Sequence, residues 1–369
     1  MTVLSHEIKQ FRNIRALSFQ PGEGLNILFG NNGQGKTNIL ESLWLYSGCH
    51  SFRTKKTQEL IRDGEQQAVT KLLFFSSEME QSAEMQLSKK REVLLNGVKL
   101  ESPRKLLGTF PAVVFSPEVL AIVKDGPAQR RRFLDIAISL MKPNYAHVLA
   151  KYMRTMEQRN ALLRQLAQNG GRQEEYLQPW DEELALLGAR IMEYRAAYVG
   201  MLCEQSREAY GSITRQKEVL GIAYESAVSL DENQAPAREE LAAALLKNLQ
   251  SSRETDIRRR CTNCGIHKED LRLEINGLPA RSYGSQGQQR SCALALKIGE
   301  AQLLCRNSGE NPIVLLDDVM SELDEQRQKD VLECLAQWQV FVTCCEPSQV
   351  LRLKTGKTFE VCAGEIWEA

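Results

Sequence analysis

Eight consecutive residues with the pattern GxxxxGK[ST] constrain this chain more than any other feature. They are Gly30, Asn31, Asn32, Gly33, Gln34, Gly35, Lys36 and Thr37; the short apolar run LNILF (25–29) precedes them, and NILESLWLYSG, with helical apolar spacing, follows. Strand, glycine-bearing turn and helix in that order form a phosphate cradle. The glycines let backbone amides turn inward around phosphate oxygens, and the helix N-terminus adds partial positive charge. In such a cradle Lys36 reaches the outer phosphates of a nucleoside triphosphate, and the Thr37 hydroxyl ligates magnesium. An α/β fold is therefore expected.

The cradle needs a carboxylate, and the best candidate stands far along the chain. Ile313-Val314-Leu315-Leu316-Asp317-Asp318 is an apolar strand ending in two acids. At the end of a buried strand Asp317 suits the metal side, and Asp318 can orient or deprotonate the attacking water. An acid-rich helix start would also favour Asp here. About 30 residues earlier, Tyr283-Gly284-Ser285-Gln286-Gly287-Gln288-Gln289-Arg290 opens the amphipathic helix CALALKIGEAQLL. Ser285 with Gly287 at a helix start makes a second anion-binding end, suited to the γ-phosphate of a nucleotide held by another copy; a plain serine N-cap is the simpler alternative.

Between these parts the chain changes character. Tyr145, Val148, Leu149, Tyr152, Met153 and Met156 recur at helical spacing, as do Leu184, Leu187, Ile191, Tyr194, Tyr198 and Met201. Two long helices joined across the breaker QNGGRQEEYLQPW are expected, antiparallel. Residues 124–172 hold ten basic and three acidic side chains, and 173–208 hold three basic and eight acidic, so one limb is positive and the other negative. Strand-like segments lie at about 70–115 and return after residue 260; IVLLDD and VFVTCC read as strands buried inside a parallel sheet. The division expected is a head at 1–125 plus 255–369, split by a helical insertion at 126–254.

The order of the parts adds specificity. Phosphate loop, Ser-x-Gly-Gln helix, acidic strand, Ser321-Glu322-Leu323-Asp324 and an apolar strand ending in Thr343 is the layout of ATP-binding-cassette (ABC) type heads. With GNNGQGKTN (30–38), FSPE (115–118), GPAQRRRFLD (126–135), YGSQGQQR (283–290) and LLDDVMSELD (315–324), the chain resembles, over nearly its whole length, the RecF family of bacterial recombination-mediator ATPases related to SMC proteins. The resemblance implies that Gly30 to Thr37 bind ATP, with Lys36 catalytic and Thr37 and Asp317 on Mg2+. It implies that Ser285, Gly287 and Gln288 contact ATP across a homodimer, that Asp318 activates water and that Asp324 lies at the dimer seam. It further implies ATP-dependent binding to gapped DNA or single-strand/double-strand junctions, and work with RecR and RecO in loading RecA, in support of replication restart and the SOS response. Two departures stand out. Where ABC heads usually place a histidine, this chain has Thr343-Cys344-Cys345-Glu346, so Thr343 or Glu346 is the candidate replacement. The glutamine that usually completes the magnesium shell has no clear counterpart, and Glu118 is a weak candidate.

Formal net charge is zero, so attraction to nucleic acid must come from local patches. The candidates are Arg53, Lys55 and Lys56; Lys89-Lys90-Arg91; Arg130-Arg131-Arg132; and the basic helical limb, each of which could equally be a solvated or internally paired face. No run of the sequence approaches the length of a membrane span, and the N-terminus lacks a signal-peptide core; a cytoplasmic location with ten free cysteines is expected. Cys261, Cys264 and His267 have ligand-like spacing, but zinc wants four ligands and no second CxxC exists. The alternatives are a transporter's nucleotide-binding subunit and an SMC-like structural clamp. The missing histidine argues against the first, and the short helices against the second.

Overall fold

The computed structural model describes residues 1–168, 174–228, 237–347, 350 and 356–369, apart from the side chain of Glu322. Part of the breaker between the long helices, 169–173, lies outside the described residues, as does the side chain of Glu322 in the SELD stretch. The chain forms two compact units. The first comprises Met1–Leu120, Gln205–Val219 and Gln286–Ala369, and the second Ala121–Glu204 and Leu220–Ser285.

In chain order the first stretch gives strands β1 (Thr2–Phe11), β2 (Ile14–Phe19) and β3 (Leu25–Phe29), helix α1 (Lys36–Trp44), then β4 (Ala68–Ser76), β5 (Met79–Leu87), β6 (Arg91–Leu95), β7 (Val98–Lys99) and β8 (Ala112–Phe115). Next come α2 (Ala121–Lys124), α3 (Pro127–Met141), α4 (Pro143–Gln168), α5 (Gln178–Thr214), β9 (Leu220–Glu225), α6 (Arg238–Ser251), α7 (Arg253–Arg259), β10 (Asp270–Ile275), β11 (Leu278–Pro279) and α8 (Ala280–Tyr283). The chain then returns through α9 (Gln286–Ser308), β12 (Ile313–Asp317), α10 (Glu325–Cys334), β13 (Val340–Cys344), β14 (Lys357–Cys362) and β15 (Glu365–Glu368).

Two sheets build the first unit. The inner one runs β15-β14-β3-β13-β12-β8, parallel from β14 to β8 with β15 antiparallel at its edge. Every residue of β8, β12 and β13 is buried, as continuous apolar runs require of strands covered on both faces. The other sheet, β2-β1-β4-β5-β6-β7, is antiparallel; strand β4 alternates buried with less buried residues along its length, the mark of a sheet with one face on the core.

In the second unit α4 and α5 run antiparallel, as the ordered pairs Asn144–Tyr194, Lys151–Glu183 and Arg159–Asp181 require. The basic limb thus neutralises part of the acidic one. The unit's bounds differ from the sequence division. Strand β9 pairs residue for residue with β10, Leu220 opposite Ile275 through Glu225 opposite Asp270, which carries 255–285 with the helices rather than with the head. Residues 205–219 instead belong to the first unit, where Glu218 accepts hydrogen bonds from Tyr210 (2.6 Å) and from Gln288 of α9 (2.8 Å). The segment LPARSYG (278–284) forms the two-residue β11 followed by the helical turn α8.

Candidate nucleotide site

The phosphate loop connects β3 to α1 in the inner sheet. Gly30, Gly33 and Gly35 all have positive φ, and Gly35 caps α1 in the left-handed region. Gly30 shows why a side chain is excluded: a Cβ there would collide with the carbonyl oxygen of Val361 on β14. The C-terminal hairpin also grips the loop from outside, because the Ala363 amide donates to Gln34 Oε1 (2.6 Å) and the Gly364 amide to the Gln34 carbonyl (3.0 Å). From the other side Asn13 Nδ2 donates to the Gly33 carbonyl (3.0 Å). Lys36 Nζ donates to the Gly30 and Asn31 carbonyls, so its ammonium sits inside the cradle's mouth.

The ends of three neighbouring strands converge beside the loop. Asp317 closes β12 and is 5% exposed. Its Oδ1 accepts from Thr37 Oγ1 (2.7 Å) and from Thr343 Oγ1 on β13 (2.9 Å). Burial pushes the Asp317 carboxyl above its usual range; the two hydroxyl donors oppose that, and nearby Glu118 and Asp318 reinforce it. An oxygen-only set of one carboxylate and one hydroxyl at the cradle's edge fits magnesium, a hard cation that retains waters and phosphate oxygens as its other ligands. Thr343 also accepts from the Asp318 amide (2.9 Å), and Asp318 adopts φ 51. Its side chain accepts from Ser321 Oγ (3.0 Å). Sequence reasoning offered Thr343 and Glu346 as stand-ins for the missing histidine. The structure commits the Thr343 hydroxyl to the two aspartates, while Glu346 is exposed.

The remaining expected site residues lie at helix starts. Gly287 and Gln288 open α9, whereas Ser285 is the last residue of the second unit's range. Asp324 caps α10, accepting from the Arg327 amide (3.0 Å) and from Arg327 Nη1 (3.0 Å). A Cβ at Gly287 would stand 3.0 Å from the same Arg327 guanidinium. One arginine, unnoticed in the sequence, therefore borders both motifs.

Some proposed DNA contacts are corrected. Arg91 donates to the carbonyls of Cys49 (2.6 Å) and Leu45, and burial lowers its pKa to about 10. Arg130 is buried and forks onto Asp270 (2.6 and 2.8 Å). Arg131 donates to the Glu269 carbonyl (2.7 Å). These three hold the fold, while Lys55, Lys56, Lys89, Lys90 and Arg132 are exposed. His267 engages Thr262 through Nε2 (3.0 Å) and Tyr152 through Nδ1 (3.4 Å), and no group of three or more metal-ligating side chains occurs among the described residues. No helix among them is long and apolar enough to cross a membrane.

A phosphate loop and an acid-ended buried strand on one parallel sheet, with a glycine-bearing helix start in the same unit, define the head of an ABC-type ATPase of the SMC kind. The RecF/RecN/SMC N terminal domain family matches residues 2–362. The chain belongs to the RecF family of DNA replication and repair proteins. The DNA replication and repair protein RecF of Acetivibrio thermocellus is 36% identical over 365 residues, 95% of this chain and 98% of that protein. Two solved structures of the recombination mediator protein RecF in the RecFOR pathway are each 34% identical to it. The one with ATPrS has a TM-score of 0.92 over 99% of this chain and 97% of its own; the one with ATP has 0.89 over 100% and 99%.

Proposed function

We propose that this chain is an ATPase that dimerises with ATP on gapped DNA or at single-strand/double-strand junctions, and that slow hydrolysis releases it. In the cell's cytoplasm this cycle would help RecR and RecO load RecA, supporting replication restart and the SOS response. Each ATP is held by Gly30 to Thr37 of one copy and met by Ser285, Gly287 and Gln288 of the other, with Asp324 at the seam. Thr37 and Asp317 would hold magnesium, which would supply charge neutralisation at the phosphates. Lys36 leaves the loop carbonyls for the outer phosphates, and Asp318 takes the proton of the attacking water.

One observation carries the two-copy reading. The loop leaves the end of β3, while α9 packs on β8, three strands away in the same sheet. Three strand spacings amount to roughly 14 Å, beyond the reach of a single γ-phosphate. The glycine-bearing start of α9, with its partial positive charge, therefore suits a phosphate brought by a partner. Sedimentation with and without ATP and gapped DNA tests this. Ser285→Arg is expected to bind ATP like the wild type yet sediment as a monomer; a Ser285→Arg protein that dimerises normally with ATP refutes the shared site.

Thr343 is expected to matter through the groups it holds. Thr343→Val keeps the shape but removes a hydrogen bond to a charged group, worth about 1.5–3 kcal/mol. ATP turnover should fall ten- to a hundredfold at saturating ATP, and Thr343→Ser should restore most of it. Equal rates for the valine and serine variants would assign the position to packing alone.

A further inference from the structure

The second unit contains a buried ionic network with no part in the nucleotide site. Arg159 is fully buried and donates to Asp181 (2.7 Å), Asp256 (2.7 Å) and the Thr262 hydroxyl (3.0 Å). Arg253 donates to the second oxygen of Asp181 (2.8 Å). Asn160 Oδ1 accepts from both the amide and the hydroxyl of Thr262 (2.8 Å each), and Asp256 accepts from the Asn263 amide (3.0 Å). Farther along, Arg195 donates to the Ile266 carbonyl (2.8 Å). Burying such charges costs several kcal/mol per ion before pairing, and apolar packing is often as stable. Stability is thus a weak reason for the network. Its geometric effect is definite: it fastens residues 256–269 to α4 and α5.

Apart from Cys261, the exposed side chains of that fastened segment are basic. Arg258, Arg259 and Arg260 are consecutive and exposed, and Lys268 is exposed as well. Arg131 docks on the Glu269 carbonyl, which brings the start of α3, with exposed Arg132, to the same segment. Three acids nearby are already committed, Asp256 to Arg159, Glu269 to Arg195 and Asp270 to Arg130, and exposed Glu254 stands one turn before Arg258 on α7. Arg259 donates to neutral Asn263 (3.3 Å), and Arg258 and Arg260 make no ion pair with an acidic side chain among the described residues. Arg260 also holds φ 59, a left-handed conformation that costs a non-glycine residue about 1 kcal/mol or more. A helix C-terminus favours cations by about 0.3–1 kcal/mol, which accounts for a basic last turn but not for exposed Lys268 farther along the same segment. Nor does composition, since the chain's net charge is zero.

We propose that Arg258, Arg259, Arg260 and Lys268, on the segment clamped by Arg159 and Asp256, form a contact surface for the phosphate backbone of DNA. This rests on the DNA-binding reading above and locates it. Guanidinium groups match phosphate geometry, and contacts of this kind hold a duplex in register without reading its sequence. The buried network keeps the arginines from collapsing onto their own loop.

The test is gapped-DNA binding across a salt series by the full chain carrying Arg258→Gln, Arg259→Gln and Arg260→Gln together. Affinity near 0.15 M salt is expected to fall tenfold or more. The log–log salt slope is expected to flatten by about 2–3, at roughly 0.9 for each phosphate no longer neutralised. ATP binding and the urea midpoint stay at wild-type values. The matching lysine triple keeps most of the slope, because it keeps the charge. Wild-type affinity and slope in the glutamine triple overturn the proposal, as does loss of binding to an acidic protein with DNA binding untouched. A wild-type chain that fails to bind DNA at all overturns both this surface and the function it rests on.

Discussion

Asp318→Asn is expected to trap the ATP-bound dimer, with hydrolysis slowed by about 10²–10⁴-fold, the usual contribution of a positioned general base. The substitution is well suited to isolate chemistry from folding. Asp318 sits at φ 51, a left-handed conformation that asparagine tolerates nearly as well as any non-glycine residue. Its amide bond to Thr343 does not involve the side chain, and an amide oxygen can still accept from Ser321. What disappears is the carboxylate's ability to take a proton from water. Single-turnover hydrolysis gives the rate, and sedimentation with ATP shows whether dimers persist. Hydrolysis at the wild-type rate would mean that another group is the base.

Arg195→Met is expected to destabilise the second unit by about 3–5 kcal/mol, the cost of leaving one partner of a buried pair alone. Arg195 and Glu269 are each about 1% exposed and stand 2.6 Å apart; Arg195 also reaches Asp135 (2.8 Å) and the Tyr145 hydroxyl (3.1 Å). Burial raises the Glu269 carboxyl, and Arg195 is the foremost influence holding it down. Without the arginine that carboxyl titrates higher still. A folded-state pKa above the unfolded value means the folded form binds the extra proton. The penalty is then full above the folded pKa and shrinks as pH falls through it. Urea midpoints of variant and wild type should therefore converge towards acid pH. A deficit below about 1 kcal/mol, or one that grows on acidification, would show that water or another cation already compensates Glu269.

Much of the candidate nucleotide site's local geometry was legible because it is built from adjacent residues. The cradle needs its glycines, lysine and threonine in consecutive positions, and the run Ile313 to Asp318 declares both a buried strand and its acidic end. Their meeting, 2.7 Å between Thr37 and Asp317, depends on strand order, which no local pattern states. The double role of Thr343 was hidden for the same reason: its residue type is ordinary, and its neighbours come from β12. Division of the chain was misjudged at 255–285, because the sequence shows a strand pattern at Leu271 to Ile275 but not that its partner is Leu220 to Glu225. Among the arginines, type and spacing could not separate Arg130, buried on Asp270, from exposed Arg132 two residues on. The run at 258–260 was not among the sequence candidates, because no local pattern shows that Asp256, Glu269 and Asp270 are engaged by other arginines.

The placement of β3 between β13 and β14 has a consequence for biosynthesis. The strand that carries the phosphate loop leaves the ribosome early, but both of its neighbours are encoded about 300 residues later, a wait of roughly 15–60 s at bacterial rates of about 5–20 residues per second. During that interval an apolar strand with two open edges is a template for wrong pairing. The clasp on Gln34 waits as long, because the Ala363 and Gly364 amides that hold it are encoded about 330 residues after the loop.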